Sequence, residues 1–218
     1  MPYRRTENVS RKLAARRTTI LAAAAALAEE AGLTAVQITA VAARAGIAAG
    51  TVYRYFPAKS DLIAAVVAAQ TAAEVAALER AGNAAPGPLS ALAATIATFT
   101  ARVLSQRCLA FAMFAEAVGP EVDAVRADYR RALIRQFELR ISGALERGHL
   151  PAQDVRVSAA ALVGALAEGL VGRLAPPPAA DPTQVRVQAQ SLALFALRGL
   201  GVVDARARGL VVQTVWPS

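Results

Sequence analysis

From Ser10 to Leu200 the chain is written mostly in Ala, Leu, Arg and Glu, and it holds no convincing run of alternating β-branched residues before the final VVQTV. Residues of this kind lose little on entering a helix, so the pattern restricts the chain to an all-α fold. Breaks fall at Gly32, at AGI (45–47), at FPAK (56–59), at GNAAPGP (82–88), at VGP (118–120), at RGHLPAQ (147–153) and at APPPAADP (175–182). Glycine and proline punctuate helices because one frees the backbone and the other removes a donor. The breaks delimit about nine helices, the second and third very short. The first runs from Ser10 to Ala31 with Ile20, Ala24, Leu27 and Ala31 on one face and Gly32 as its left-handed stop. The fourth spans 59–80, and five longer segments follow at 88–105, 107–117, 121–147, 154–174 and 182–200. GNAAPGP is the first long stretch without apolar periodicity, which divides the chain into residues 1–58, a connecting helix at 59–80, and residues 82–218.

Hydrophobic residues are 56% of the chain, yet no apolar run reaches the roughly 18 uninterrupted residues that a spanning helix needs. The opening MPYRRTENVSRK is charged and is not followed by a signal-peptide core, so the expectation is a soluble, cytoplasmic protein. Cys108 is the only cysteine; it forms no internal disulfide, is expected in the core, and makes a cysteine-ligated metal site implausible. His149 is likewise alone, in ERGHLP, where a helix C-terminus favours a cation. One histidine, one cysteine and no glycine-rich phosphate loop leave no catalytic constellation, and no cofactor is expected. The net charge of +8 is concentrated: residues 1–59 carry +6 and the remainder only +2. A potential so placed fits an N-terminal region that meets a polyanion, or a solubilising basic tail.

Residues 38–45 read ITAVAARA and residues 49–55 read AGTVYRY, joined across Gly46-Ile47-Ala48. Two short helices crossing steeply need a glycine in the turn, a small residue at the contact and apolar groups pointing inward. Gly46 and Ala42, with Ile38, Val41, Ile47 and Val52, supply these, and together they describe a helix-turn-helix whose second helix enters the DNA major groove.

The stretch VAARAGIAAGTVYRYFPAKSDL resembles the TetR family of transcriptional regulators, with about a dozen positions at the family's spacing, and the resemblance is close over residues 10–64. It implies that Thr51 and Tyr55 face the DNA, with Tyr53 at the end of the recognition helix. Gly50 would let that helix approach the duplex without a side chain in the way. A tyrosine can bury its ring and still offer its hydroxyl to a phosphate. After Pro57, Lys59 and the first amides of the fourth helix form a second phosphate site. Ala48 and Ala49 stand where the family commonly has hydroxyl or basic residues, giving methyl contacts to thymine but no hydrogen-bonded readout. Gln37 caps the second helix where threonine is usual. Readout therefore rests on Thr51, Arg54 and Arg44, with DNA shape contributing, and Arg4 and Arg5 are candidates for a minor-groove arm or part of a disordered tail.

Beyond residue 85 the resemblance is one of length and helix count. It implies a homodimer whose C-terminal domains bind a small molecule and thereby change the spacing of the two recognition helices. Ala161, Gly164, Ala165 and Gly172 permit close helix approach, and Val187, Leu194 and Leu197 offer apolar contacts; the same residues would serve a four-helix interface or an internal core. Phe111, Met113 and Phe114 cluster in RCLAFAMFAEAVG, with Phe99, Tyr129 and Phe137 on neighbouring helices. They suit an apolar effector pocket or a plain core. Arg102 and Glu168, with Glu116 and Arg130, are the polar groups in or beside those segments, and a buried charge there needs a partner. The function implied is a ligand-responsive repressor on a near-palindromic operator; the alternative is a non-specific basic DNA-binding protein without an effector.

Overall fold

The computed structural model describes residues 3–172, 175–177, 181–214 and 216, with side chains from residue 9 onward. Among the described residues it is all helical: α1 (Tyr3–Ala31), a single 3-10 turn (Leu33–Ala35), α2 (Ile38–Arg44), α3 (Ala49–Tyr55), α4 (Lys59–Ala84), α5 (Pro88–Ser105), α6 (Arg107–Phe114), α7 (Pro120–Glu146), α8 (Val155–Val171), α9 (Pro182–Gly199) and α10 (Asp204–Gln213). This is an N-terminal helix-turn-helix unit followed by a larger helical bundle.

The N-terminal unit closes around Ile20, Ala24 and Ala28 of α1, with Leu33, Val36, Val41, Val52, Phe56 and Leu62 from the elements that follow, all buried. The buried face of α1 thus runs through Ala28 rather than through Leu27 and Ala31: Leu27 is half-buried and Ala31 exposed. α1 also begins seven residues before the expected Ser10, at Tyr3. The side chains of Arg4 and Arg5 lie outside the described residues. Gly32 ends α1 at φ 82°, in the region that favours glycine.

α4 joins the two units. Leu62, Ile63, Val66 and Val67 of its first half are buried beside the N-terminal unit, and Ala77 and Leu78 of its second half are buried in the bundle. It continues through Gly82 to Ala84, past the expected end at residue 80; there Arg140 of α7 lies across Gly82, where a side chain would otherwise stand, and donates to the Asn83 Oδ1 at 3.0 Å. The bundle wraps α5, of which Leu92, Ile96, Phe99 and Thr100 are fully enclosed. α4 and α5 have the length and apolarity of a spanning segment; α5 is mostly buried as the central helix of the bundle, and α4 packs along α5 and α7 with part of its surface exposed.

The chain has one more helix than expected, because α10 forms over DARARGLVVQ. Its first turn is fixed by Asp204, which pairs with Arg198 and Arg208, and these cations hold its carboxyl below the usual range. Trp216 is half-buried and its Nε1 donates to the carbonyl of Val211 at 3.2 Å. Cys108 is exposed rather than buried, since α6 turns Leu109, Ala112, Met113 and Phe114 inward.

Candidate nucleic-acid interface

The turn between α2 and α3 is built by Gly46 at φ 64°, whose neighbour Ile47 donates its N–H to the carbonyl of Ala42 at 3.0 Å. That bond closes α2 and sends the chain back across Val41, Ala42 and Val52, all buried. Only seven residues long, α3 therefore lies on the surface with one face free. Gly50, Tyr53 and Arg54, three and four residues apart, share the exposed face, and Tyr53 keeps 52% of its surface. Ala48 is exposed at the entry to α3, while Ala49, Thr51 and Tyr55 are half-buried. The guanidinium of Arg54 lies 5.7 Å from the centre of the Tyr55 ring, and that of Arg17, from α1, lies 5.0 Å from the Phe56 ring. Cation–π contact steadies both without neutralising them.

Of the remaining expected DNA contacts, Arg44 and Gln37 are already engaged inside the chain. Arg44 makes a bidentate pair with Glu30, both nitrogens at 2.7 Å, and this pairing lowers the Glu30 carboxyl below its ordinary value. Gln37 supplies no cap to α2; its Nε2 donates to the Thr34 carbonyl at 2.8 Å. Lys59 is half-buried at the first turn of α4, where Asp61 accepts the N–H of Ala58 at 3.0 Å. That end of α4 thus carries an acid beside the lysine.

Glu116, from the loop after α6, reaches into the N-terminal unit. Its carboxylate accepts the N–H of Leu33 at 2.8 Å, the N–H of Thr34 at 3.1 Å and the Thr34 hydroxyl at 2.5 Å. The loop that carries it is held by Arg126, itself buried, which donates to the carbonyls of Ala112 and Glu116 and pairs with Asp123. One step back, Arg130 donates to the Phe114 carbonyl and lies over the Phe114 ring. The sequence marked Glu116 only as a charge in an apolar stretch; its partner is 82 and 83 residues away, beyond what local pattern can reveal.

The residues expected at the effector pocket separate into three groups. Phe99, Phe114, Phe137 and Tyr129 form one buried aromatic cluster, with Phe99 edge-on to Phe114 and to Phe137 at 6.2 Å and Phe114 tilted against Tyr129 at 5.3 Å. Met113 is buried beside them and Arg102 is bound to Glu74 at 2.7 Å. Glu74 is only 3% exposed, and burial raises its carboxyl despite the arginine. Tyr129 is also raised, by its own burial and by the negative charge of Glu74. Oε1 of Glu74 and the hydroxyl of Thr100 are buried with no partner among the described residues. Phe111 faces outward on the opposite side of α6. Phe114 and Glu168 line a cavity of about 340 Å³ between α6, α7 and α8, together with Arg130, Ile134, Val163 and Gly164.

Of the residues expected at a dimer interface, Ala161, Gly164, Ala165 and Val187 are exposed, Gly172 and Leu194 half-buried. Leu197 is fully buried in its own chain with Ala193 and Ala196. The exposed stripe of α9 runs instead through Val187, Ser191 and Phe195, and Phe195 keeps 60% of its surface.

A short helix with a free face on a small unit, tied to a larger helical bundle, defines the class by its fold: a helix-turn-helix unit joined to a helical domain. The N-terminal unit belongs to the TetR family, since residues 20–66 match the profile of the bacterial regulatory proteins, tetR family. Over 53 residues the chain is 53% identical to the HTH-type transcriptional repressor KstR of Rhodococcus jostii, which is 24% of this chain and 25% of that protein. The matched segment therefore spans about a quarter of that repressor. Over nearly its full length the fold is similar to RolR in complex with resorcinol, with a TM-score of 0.67 at 21% identity, covering 96% of this chain and 98% of that one. It is also similar to FadR from Bacillus subtilis in complex with stearoyl-CoA, with a TM-score of 0.62 at 18% identity over 91% and 98%. At these identities the likeness is one of fold.

Proposed function

We propose that the protein is a ligand-responsive transcriptional repressor that binds a near-palindromic operator as a homodimer and is released by a small-molecule effector. The observation that carries this reading is the free face of α3, with Gly50, Tyr53 and Arg54 together, inside a segment 53% identical to a named repressor. Two such helices, related by a twofold axis, would read two half-sites in successive major grooves. The exposed small-residue face of α8 and the Val187 to Phe195 stripe of α9 are the surfaces through which the copies would meet. Structures of the same fold are known with small molecules bound, one with resorcinol and one with stearoyl-CoA, which supports an effector for this bundle too. Linkage then requires an effector that favours a spacing unsuited to the operator to weaken DNA binding by the same factor by which DNA weakens effector binding. The expected place of action is the cytoplasm, with no catalytic step.

A second reading, non-specific DNA binding, draws on two observations: Arg44 is held by Glu30, and the side chains of Ala48 and Ala49 carry no hydrogen-bonding groups. Selection of bound duplexes from a random library at two salt concentrations separates the two. An inverted repeat that survives the higher salt supports the repressor, whereas binding without a motif that collapses as salt rises supports the alternative.

A further inference from the structure

The first half of α1 has no place in the core. Residues 9–19, VSRKLAARRTT, are all exposed, and the first buried residue of the helix is Ile20. A stretch of helix that buries none of its residues is held by no core of its own and is open to a partner. The hydroxyls of Thr18 and Thr19 are already bonded to the carbonyls of Ala14 and Ala15, so they do not define that partner. What remains is charge: Arg11, Lys12, Arg16 and Arg17, with no acid in the segment. Lys12 and Arg16 are one turn apart on the same face, and neither meets a carboxylate among the described residues. Val9 and Leu13, 54% and 48% exposed, are the only large apolar side chains in the segment.

The position of this segment is fixed by Arg17, whose guanidinium rests on the ring of Phe56, the residue directly after α3. α1 therefore passes the C-terminal end of the recognition helix and continues beyond it. At the helical rise, the eight residues from Arg17 back to Val9 extend about 12 Å, the axial length of three to four base pairs. We propose that this exposed basic stretch of α1 is a second DNA-binding surface that lies on the phosphates flanking each half-site, lengthening the footprint without reading sequence. The inference rests on the DNA-binding reading above. Charge sign, the Arg17 contact beside the end of α3 and the shortage of large apolar side chains all favour nucleic acid over a protein partner.

The test uses the full chain and a duplex recovered by the selection described above. Affinity is measured between about 50 and 200 mM salt for the wild type, for K12Q/R16Q and for the charge-conserving K12R/R16K. Two lost phosphate contacts make the slope of log K against log salt shallower by about 1.8, so across that range the wild type loses about twelvefold more affinity than K12Q/R16Q. K12R/R16K keeps the wild-type slope, and hydroxyl-radical protection outside each half-site vanishes only in the glutamine variant. Equal slopes and equal protection for all three proteins overturn the proposal while leaving operator binding intact. A change in sedimentation with no change in slope also overturns it, by assigning the segment to contact between copies of the chain. If selection yields no motif, it is the repressor reading that fails, and the slopes on any duplex still report whether α1 touches phosphate.

Discussion

Glu74 is an acid placed where the bundle is driest, and its chemistry is set by that placement. Removing a carboxylate from water disfavours its charged form, and here burial outweighs the attraction of Arg102, so the carboxyl is raised above its ordinary value of 4.5. A group raised on folding contributes stability that is complete below its unfolded value and lost as pH rises through its folded one. Glu74→Gln removes that dependence. Thermal unfolding followed from pH 4.5 upward should therefore show the wild type losing ground relative to the variant, and parallel curves would mean that folding leaves the Glu74 carboxyl unshifted. Arg44 is the opposite case, an exposed cation bound to an exposed acid. Such pairs contribute little to stability, so the pairing matters mainly as a competitor for DNA. Glu30→Gln should free Arg44 and steepen the salt dependence of duplex binding by about one unit of slope. An unchanged slope would place Arg44 off the DNA altogether.

At the level of elements, the turn between α1 and α2 is secured from outside its own unit. A carboxylate that accepts two backbone N–H groups and a hydroxyl from Leu33 and Thr34 makes charge-assisted bonds, and these are the stronger kind. Glu116→Ala should cost about 1–3 kcal/mol, the usual penalty for leaving such donors unpaired. Hydrogen exchange should report the loss at the amides of Leu33 and Thr34 before it spreads to the buried turns of α5; unchanged protection at those two amides would show that the bonds do not hold in solution. The same contact marks the boundary of what sequence made visible. The helices, the turn at Gly46 and the apolar face of α3 follow from periodicity and local backbone chemistry, which act within a few residues. α10 was missed because its apolar positions, Ala207, Leu210 and Val211, are few and its start is fixed by ion pairs with Arg198 and Arg208. The pairings of Glu116 with Leu33 and of Glu74 with Arg102 join different helices, and no spacing rule connects them. Phe99 and Phe137 could be read as pocket or core; edge-on packing at 6.2 Å puts them in the core of this structure.

For the whole molecule, the proposed twofold assembly needs a surface that is apolar, self-complementary and outside the bundle's own core. Leu197 cannot provide it, being wholly enclosed, whereas Phe195 lies 60% exposed two residues earlier, a helical turn below Ser191 and two below Val187. The exposed α8 residues Ala161, Gly164 and Ala165 are small enough for another helix to approach closely. An aromatic side chain buried at the centre of such a contact is the usual source of its affinity, so replacing it by a charge should be costly. Phe195→Asp is expected to raise the dimer dissociation constant by at least about a hundredfold, equivalent to about 3 kcal/mol. Because the side chain touches solvent in the single chain, the fold should survive, with helicity and the environment of Trp216 unchanged. Sedimentation at micromolar concentration would then show a monomer, and operator binding would weaken far more than binding to an isolated half-site, since only the former depends on two linked recognition helices. A variant that still sediments as a dimer would move the interface away from this face of α9, and with it the geometry by which an effector could spread the two reading heads.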